Sequence, residues 1–143
     1  MRTTDIYGYG LVRPFRRAHS DFAAAGGAAN VRAAIGQILG TRASSARSVG
    51  ELPWRPEFGS RLHLLRHDRG DAATPGIAHA YVAEALRTWE PRARVTRVEV
   101  VQVTASPDNG RTLSIRVWFD LVEAGGAGNR VLERGLETTI RVG

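Results

Sequence analysis

Pro91 divides the chain into two periodicities. From Thr74 to Trp89, apolar residues recur at helical spacing; beyond Pro91 the period falls to two. A proline here ends a helix, because it lacks the amide that the next turn needs. The chain must therefore pass from a helix directly into a strand. Helices and strands fall in separate stretches, which predicts an α+β fold rather than an alternating βαβ one.

In the helix before Pro91, Thr74 reads as the N-cap and Pro75 as the first helical residue. Ile77, Tyr81, Leu86 and Trp89 mark its apolar stripe, widened by Ala78, Val82 and Ala85. An earlier helix is predicted over Ala28–Leu39, where Val31, Ala34, Ile35, Ile38 and Leu39 follow the same rule and Gly40 supplies a stop. After Pro91, Val95–Thr104 reads as a strand with imperfect alternation. Its adjacent Val100 and Val101 are consistent with a β-bulge there. Ser106–Gly110 is a turn sequence. Thr112–Val122 alternates cleanly, with Leu113, Ile115, Val117, Phe119 and Leu121 on one face. A Gly-rich turn, Ala124–Asn129, leads to a third strand, Arg130–Val142, with Leu136, Thr138, Ile140 and Val142 together. The expected architecture is two main helices packed on a small antiparallel sheet, with a C-terminal three-stranded meander.

The other segments are less regular. Residues 1–27 read as an extended N-terminal segment, with Ala23–Ala29 as loop or helix start. Thr41–Gly50 reads as a surface loop and Arg61–Arg66 as a short helix. Glu51–Ser60 holds two prolines, so a regular helix or central strand is excluded there; Trp54 and Phe58 are expected to pack either in the core or at an interface, and both remain open on the residues. At 143 residues, with no linker in view, one domain over 1–143 is expected. The absence of cysteine excludes disulfides, thiol redox chemistry and Cys-based zinc sites. Neither a membrane-spanning apolar run nor an apolar leader in Met1–Gly10 is seen, so synthesis in the cytoplasm and no direct membrane insertion are expected.

Charge narrows the partners without choosing one. All 20 basic residues are arginine, set against 14 acids, for a net charge of +6. Arginine suits interfaces because its planar guanidinium forms forked contacts with carboxylates and phosphates. The arginines are spread along the chain (Arg13, Arg16, Arg17; Arg55, Arg61, Arg66, Arg69; Arg92, Arg94, Arg97), without a dense patch interleaved with aromatics. A nucleic-acid role is therefore a secondary reading, and no nucleic-acid partner is expected.

Catalytic chemistry has weak support. His63 and His67 stand four apart, a metal-ligand spacing on an α-helix, but the glutamate of a zincin motif is missing. A lysozyme-like peptidoglycan hydrolase would need two carboxylates among Glu51, Glu57 and Glu90 in one cleft. Neither a nucleophile elbow nor a phosphate loop occurs. No enzyme activity, catalytic residue, metal or cofactor is expected.

Two features point to assembly instead. Glu90-Pro91-Arg92 places opposite charges on either side of a rigid corner. An internal lock and a contact to a neighbouring subunit are both open on the residues alone. The last strand carries only Glu137 and Arg141 as charges over Leu136–Val142. It is either an ordinary covered edge or a site where another protein adds a strand.

These residues, in this order, resemble the GPW-type baseplate wedge proteins of contractile phage tails, with their relatives in type VI secretion (TssE-like) and extracellular contractile injection systems. The resemblance runs from Tyr7 to Val142. It rests on Gly8-Tyr9-Gly10-Leu11 and Pro14-Phe15, on Ile35, Ile38, Leu39 and Thr41, on Arg55-Pro56-Glu57-Phe58-Gly59-Ser60 with Leu62, and on Glu90-Pro91-Arg92 before a Val-rich strand. It departs at Gly50-Glu51-Leu52-Pro53-Trp54, where the family often has Gly-Glu-Arg. The resemblance implies a structural, non-enzymatic baseplate component, present in six copies, that links wedge proteins to the contractile sheath and initiates sheath assembly. It implies a wedge interface at Glu90, Pro91 and Arg92. It implies a sheath interface by strand exchange along Leu136, Glu137, Thr138, Thr139, Ile140, Arg141 and Val142. On that reading Arg92→Ala blocks incorporation while leaving the isolated fold intact.

Overall fold

The computed structural model describes residues 9–11, 17–18, 21–22, 24–67, 72–106, 110–123 and 130–142. The turns expected at Ser106–Gly110 and Ala124–Asn129 lie largely outside these residues. Four short strands come first: β1 (Tyr9–Leu11), β2 (Arg17–Ala18), β3 (Asp21–Phe22) and β4 (Ala24–Gly26). β1 pairs antiparallel with β4, and β2 with β3. The described residues of the N-terminal segment are thus extended strands, and Ala24–Gly26 is strand rather than loop.

Helix α1 spans Gly27–Gly40 and buries Val31, Ile35, Ile38 and Leu39, as the spacing predicts. A 3₁₀-helix covers Leu62–His67, where the sequence suggests a short helix. Helix α2 spans Thr74–Trp89. Its cap is Ala73, one residue before the predicted one. The Ala73 carbonyl already accepts the Ile77 amide, so Thr74 is helical and buried, and Pro75 follows it. The stripe is buried as predicted at Ala78, Val82, Ala85 and Leu86, with Tyr81 and Trp89 partly buried against the core; Ile77, 38% exposed, falls outside it.

Strands β5 (Ala93–Ser106), β6 (Gly110–Val122) and β7 (Val131–Val142) form an antiparallel sheet in that order, with β6 central. The fold is α+β, as predicted. α2 lies along β5 and α1 along β7, so both helices cover one sheet face. Leu113, Ile115, Val117, Phe119 and Leu121 on β6 and Leu136, Ile140 and Val142 on β7 bury into that layer. They join Val31, Ile35, Leu39, Leu62, Val82 and Leu86 in one hydrophobic cluster.

The bulge in β5 is not at Val100-Val101. Those residues pair regularly with Ile115 and Ser114 and simply face opposite ways. The register shifts between Val95 and Arg97, leaving Thr96 as the extra residue. The shift changes parity, so Val95, Val98 and Val100 all pack toward the core despite their uneven spacing. A second irregularity lies between Glu133 and Leu136 on β7. There Asp120, nearly buried, accepts the Gly135 amide at 2.9 Å and meets Arg94 at 3.4 Å. A carboxylate on the central strand thereby fixes where β7 bends.

Candidate functional site

The first candidate feature is the corner between α2 and β5. The Glu90 amide donates to the Leu86 carbonyl at 2.8 Å, closing the helix, and the Ala93 amide donates to the Glu90 carbonyl at 3.0 Å, closing the turn. Arg92 grips the Glu90 carboxylate with two bonds, Nε to Oε1 at 2.6 Å and an η nitrogen to Oε2 at 2.8 Å. This is the forked charge-assisted geometry that arginine favours. Glu90 is only 4% exposed, whereas Pro91 stands in solvent. The two charges are therefore spent on each other within the chain. On this geometry Arg92→Ala would strand a buried carboxylate, so a loss of stability is expected from it beyond any effect on incorporation.

The loop before the 3₁₀-helix is built onto the same helix end. Phe58 meets Trp89 edge-on, with ring centroids 5.1 Å apart, and the Arg55 guanidinium lies over the Trp89 ring at 4.7 Å. Pro56 accepts the Ser44 amide at 2.7 Å. Ser60 Oγ donates to the Leu39 carbonyl at 2.9 Å, capping the end of α1. Gly59 has φ of 117°, and a Cβ there would stand 2.3 Å from the Thr41 carbonyl oxygen. Gly50 is equally crowded: a Cβ there would stand 2.1 Å from the Pro56 oxygen. The Arg-Pro-x-aromatic-Gly segment is thus a packing device, and it converges with Glu90-Pro91-Arg92 on Trp89. Trp54 does not join it. It is 79% exposed, so of the two expected placements the core is excluded for it, while Phe58 packs against the core.

The second feature is the β7 edge. β7 hydrogen-bonds to β6 alone among the described strands. Arg32 Nε on α1 donates to the Glu137 carbonyl at 3.2 Å, so that carbonyl points away from β6. By strand alternation Thr139 and Arg141 turn their backbone groups the same way. An open groove of about 770 Å³ runs between α1 and this edge, lined by Arg32, Gln37, Thr139 and Arg141 among others. Gly36 and Gly40 line it too, and a Cβ on either would meet nothing within 4 Å. The outer sheet face carries exposed charges: Arg116 bridges Glu99 at 4.0 Å and Glu137 at 3.2 Å, and Arg97 and Arg116 flank the Trp118 ring.

The third feature was not legible in the sequence. Arg42, Arg47, Arg61 and Arg66 line one open groove of about 880 Å³. At its side Ser45, Ser48 and His63 form a hydrogen-bonded chain, each step 3.0 Å. Burial is the main cause that lowers the His63 pKa below 6.5; the Arg42 charge adds to it, and the Ser60 carbonyl opposes it. The four arginines come from two segments of unremarkable composition, joined here by the bridge between Arg42 and Ser60.

Enzymatic arrangements find no such convergence. Glu90 is held by Arg92, Glu51 Oε2 accepts the Arg42 amide at 3.1 Å, and Glu57 lines a separate pocket of about 290 Å³. His63 lies on the 3₁₀-helix and bonds Ser48, while the side chain of His67 lies outside the described residues. Among the described residues there is no group of three metal-ligating side chains, and no helix is long and apolar enough to cross a membrane.

Comparison with known proteins bears on the family and the fold. Curated proteins give no significant match. Among solved structures, a chain of the anti-feeding prophage (AFP) baseplate superposes with a TM-score of 0.64 at 16% identity, covering 88% of this chain and 93% of that one. A putative tail lysozyme from Geobacter sulfurreducens aligns with a TM-score of 0.45 at 25% identity, over 78% and 86% of the two chains. The model of the baseplate wedge protein gp25 family matches residues 25–124, from β4 through β6. With most of its length matched, the chain belongs to the baseplate wedge protein gp25 family.

Proposed function

We propose that this protein is a structural, non-enzymatic component of the baseplate of a contractile injection machine, of the phage tail-like kind. It links wedge proteins to the sheath and starts sheath assembly by accepting a strand along Leu136–Val142. The observation that carries the strand reading is the β7 edge. Thr139 and Arg141 line an open groove beside the Arg32-held Glu137 carbonyl, and Gly36 and Gly40 on the facing side of α1 leave room there. Antiparallel or parallel addition there satisfies those groups and extends the sheet. Family membership and the likeness of fold to an AFP baseplate chain support the baseplate setting.

The wedge contact is assigned to the Glu90-Pro91-Arg92 corner in a modified form. Glu90 orients Arg92 rather than meeting a partner, and the exposed Pro91 beside Arg92 forms the contacting surface. Six copies per baseplate follow from the family reading. The test is an N-terminally tagged chain expressed in its host with Thr139→Pro. Proline removes one outward amide and is tolerated on an edge strand. The expected result is retention of wedge proteins with loss of sheath protein. Full sheath recovery by the variant overturns the strand reading, and absence of both partners from the unaltered chain overturns the baseplate reading.

A further inference from the structure

We propose that the arginine groove between the Arg42–Ser48 loop and the 3₁₀-helix binds an acidic, amphipathic segment of a neighbouring protein. The groove lies apart from the corner and the β7 edge, and the inference stands without the baseplate reading. Arg42, Arg47 and Arg61 are exposed, and among the described residues no acidic side chain lines the groove. Arg42 and Arg47 make no ion pair among the described residues. Arg61 meets Glu84 only at 3.8 Å, with both side chains about half exposed, so that contact is readily exchanged. Several guanidinium groups around one depression repel one another, and an anion relieves that repulsion.

The lining also tells which anion fits. Ile77 is the α2 stripe residue that the core leaves out, and it borders this groove together with Leu64 and Tyr81. A phosphate backbone has no use for an aliphatic patch beside its charges. A peptide carrying carboxylates and apolar side chains in turn satisfies both. The groove volume is that of a ligand pocket for a short segment rather than for a single ion.

The test uses the full chain and a fluorescein-labelled twelve-residue peptide of alternating Glu and Leu. Controls are a Glu/Ser peptide and a twelve-nucleotide single strand. Anisotropy is read at 50 and 300 mM salt. The expected order is Glu/Leu peptide, then Glu/Ser peptide, then oligonucleotide, with affinity falling as salt rises. Arg47→Ala/Arg61→Ala weakens the Glu/Leu peptide by roughly fivefold to tenfold, from two exposed charge contacts. Ile77→Ser removes the advantage of Glu/Leu over Glu/Ser. Circular dichroism checks that all variants keep the fold. Equal binding by the double variant, or tighter binding of the oligonucleotide than of either peptide, overturns the proposal.

Discussion

Arg92→Ala tests whether the corner is an internal lock. Truncation removes two short bonds, 2.6 and 2.8 Å, and leaves the Glu90 carboxylate buried against the end of α2. Breaking a fully buried pair costs about 3–5 kcal/mol. The Arg92 side chain keeps 26% of its surface, so water reaches the vacated site and softens the loss. About 2–3 kcal/mol is the expected destabilisation. For a domain of this size that lowers Tm by roughly 6–12 °C. Urea unfolding followed by circular dichroism measures it, with an unchanged m-value confirming that the loss is one of stability. Removing the charge with its partner, in Glu90→Gln/Arg92→Ala, should recover about half of the loss or more. The double-mutant cycle should then give a coupling above ~1 kcal/mol. A loss below ~0.5 kcal/mol in the single variant, or strict additivity in the double, refutes the lock.

Other expectations follow from single positions. Gly59→Ala forces a Cβ onto the Thr41 carbonyl at a φ that side chains avoid, and it should cost at least about 2 kcal/mol in urea unfolding. Trp54→Ala should change stability by less than ~0.5 kcal/mol, since the ring is exposed, while reducing recovery of partners in a pull-down; exposed tryptophans are frequent interface anchors. His63 binds its proton more weakly in the folded chain than the usual 6.5, so the unfolded chain takes up that proton first. Its contribution to stability is present above pH 6.5 and is lost as pH falls below it; His63→Gln should flatten the decline in unfolding free energy between pH 7 and pH 5.

What the sequence made legible is what depends on near neighbours. The alternation of Leu113, Ile115, Val117, Phe119 and Leu121 sufficed to place the central strand and its buried face, because register and face are one property in a strand. The α1 stripe was legible for the same reason. Valine, by contrast, carries no mark of which side it faces. Val100 beside Val101 looked irregular, and the real shift at Thr96 left no apolar signature. The corner motif was legible as chemistry but not as state, since the burial of Glu90 depends on how α2 meets the sheet. Convergence of Arg42 and Arg47 with Arg61 and Arg66 depends on a loop closing over a glycine, and no local periodicity reports that.

Arg32 gives the β7 edge a history. The guanidinium that holds the Glu137 carbonyl is the tip of a long side chain, able to swing away in nanoseconds, whereas a strand takes far longer to settle. While the chain is alone, the edge meets other copies with one acceptor already occupied and a positive charge in front of it. Two such edges approaching each other bring like charges together. On the proposed strand-addition reading, an arriving strand of a different protein would have amides to offer in place of the guanidinium, and it would displace a contact worth on the order of 1–2 kcal/mol. The same bond would then be a temporary cover, one that discourages self-pairing and yields to the partner strand.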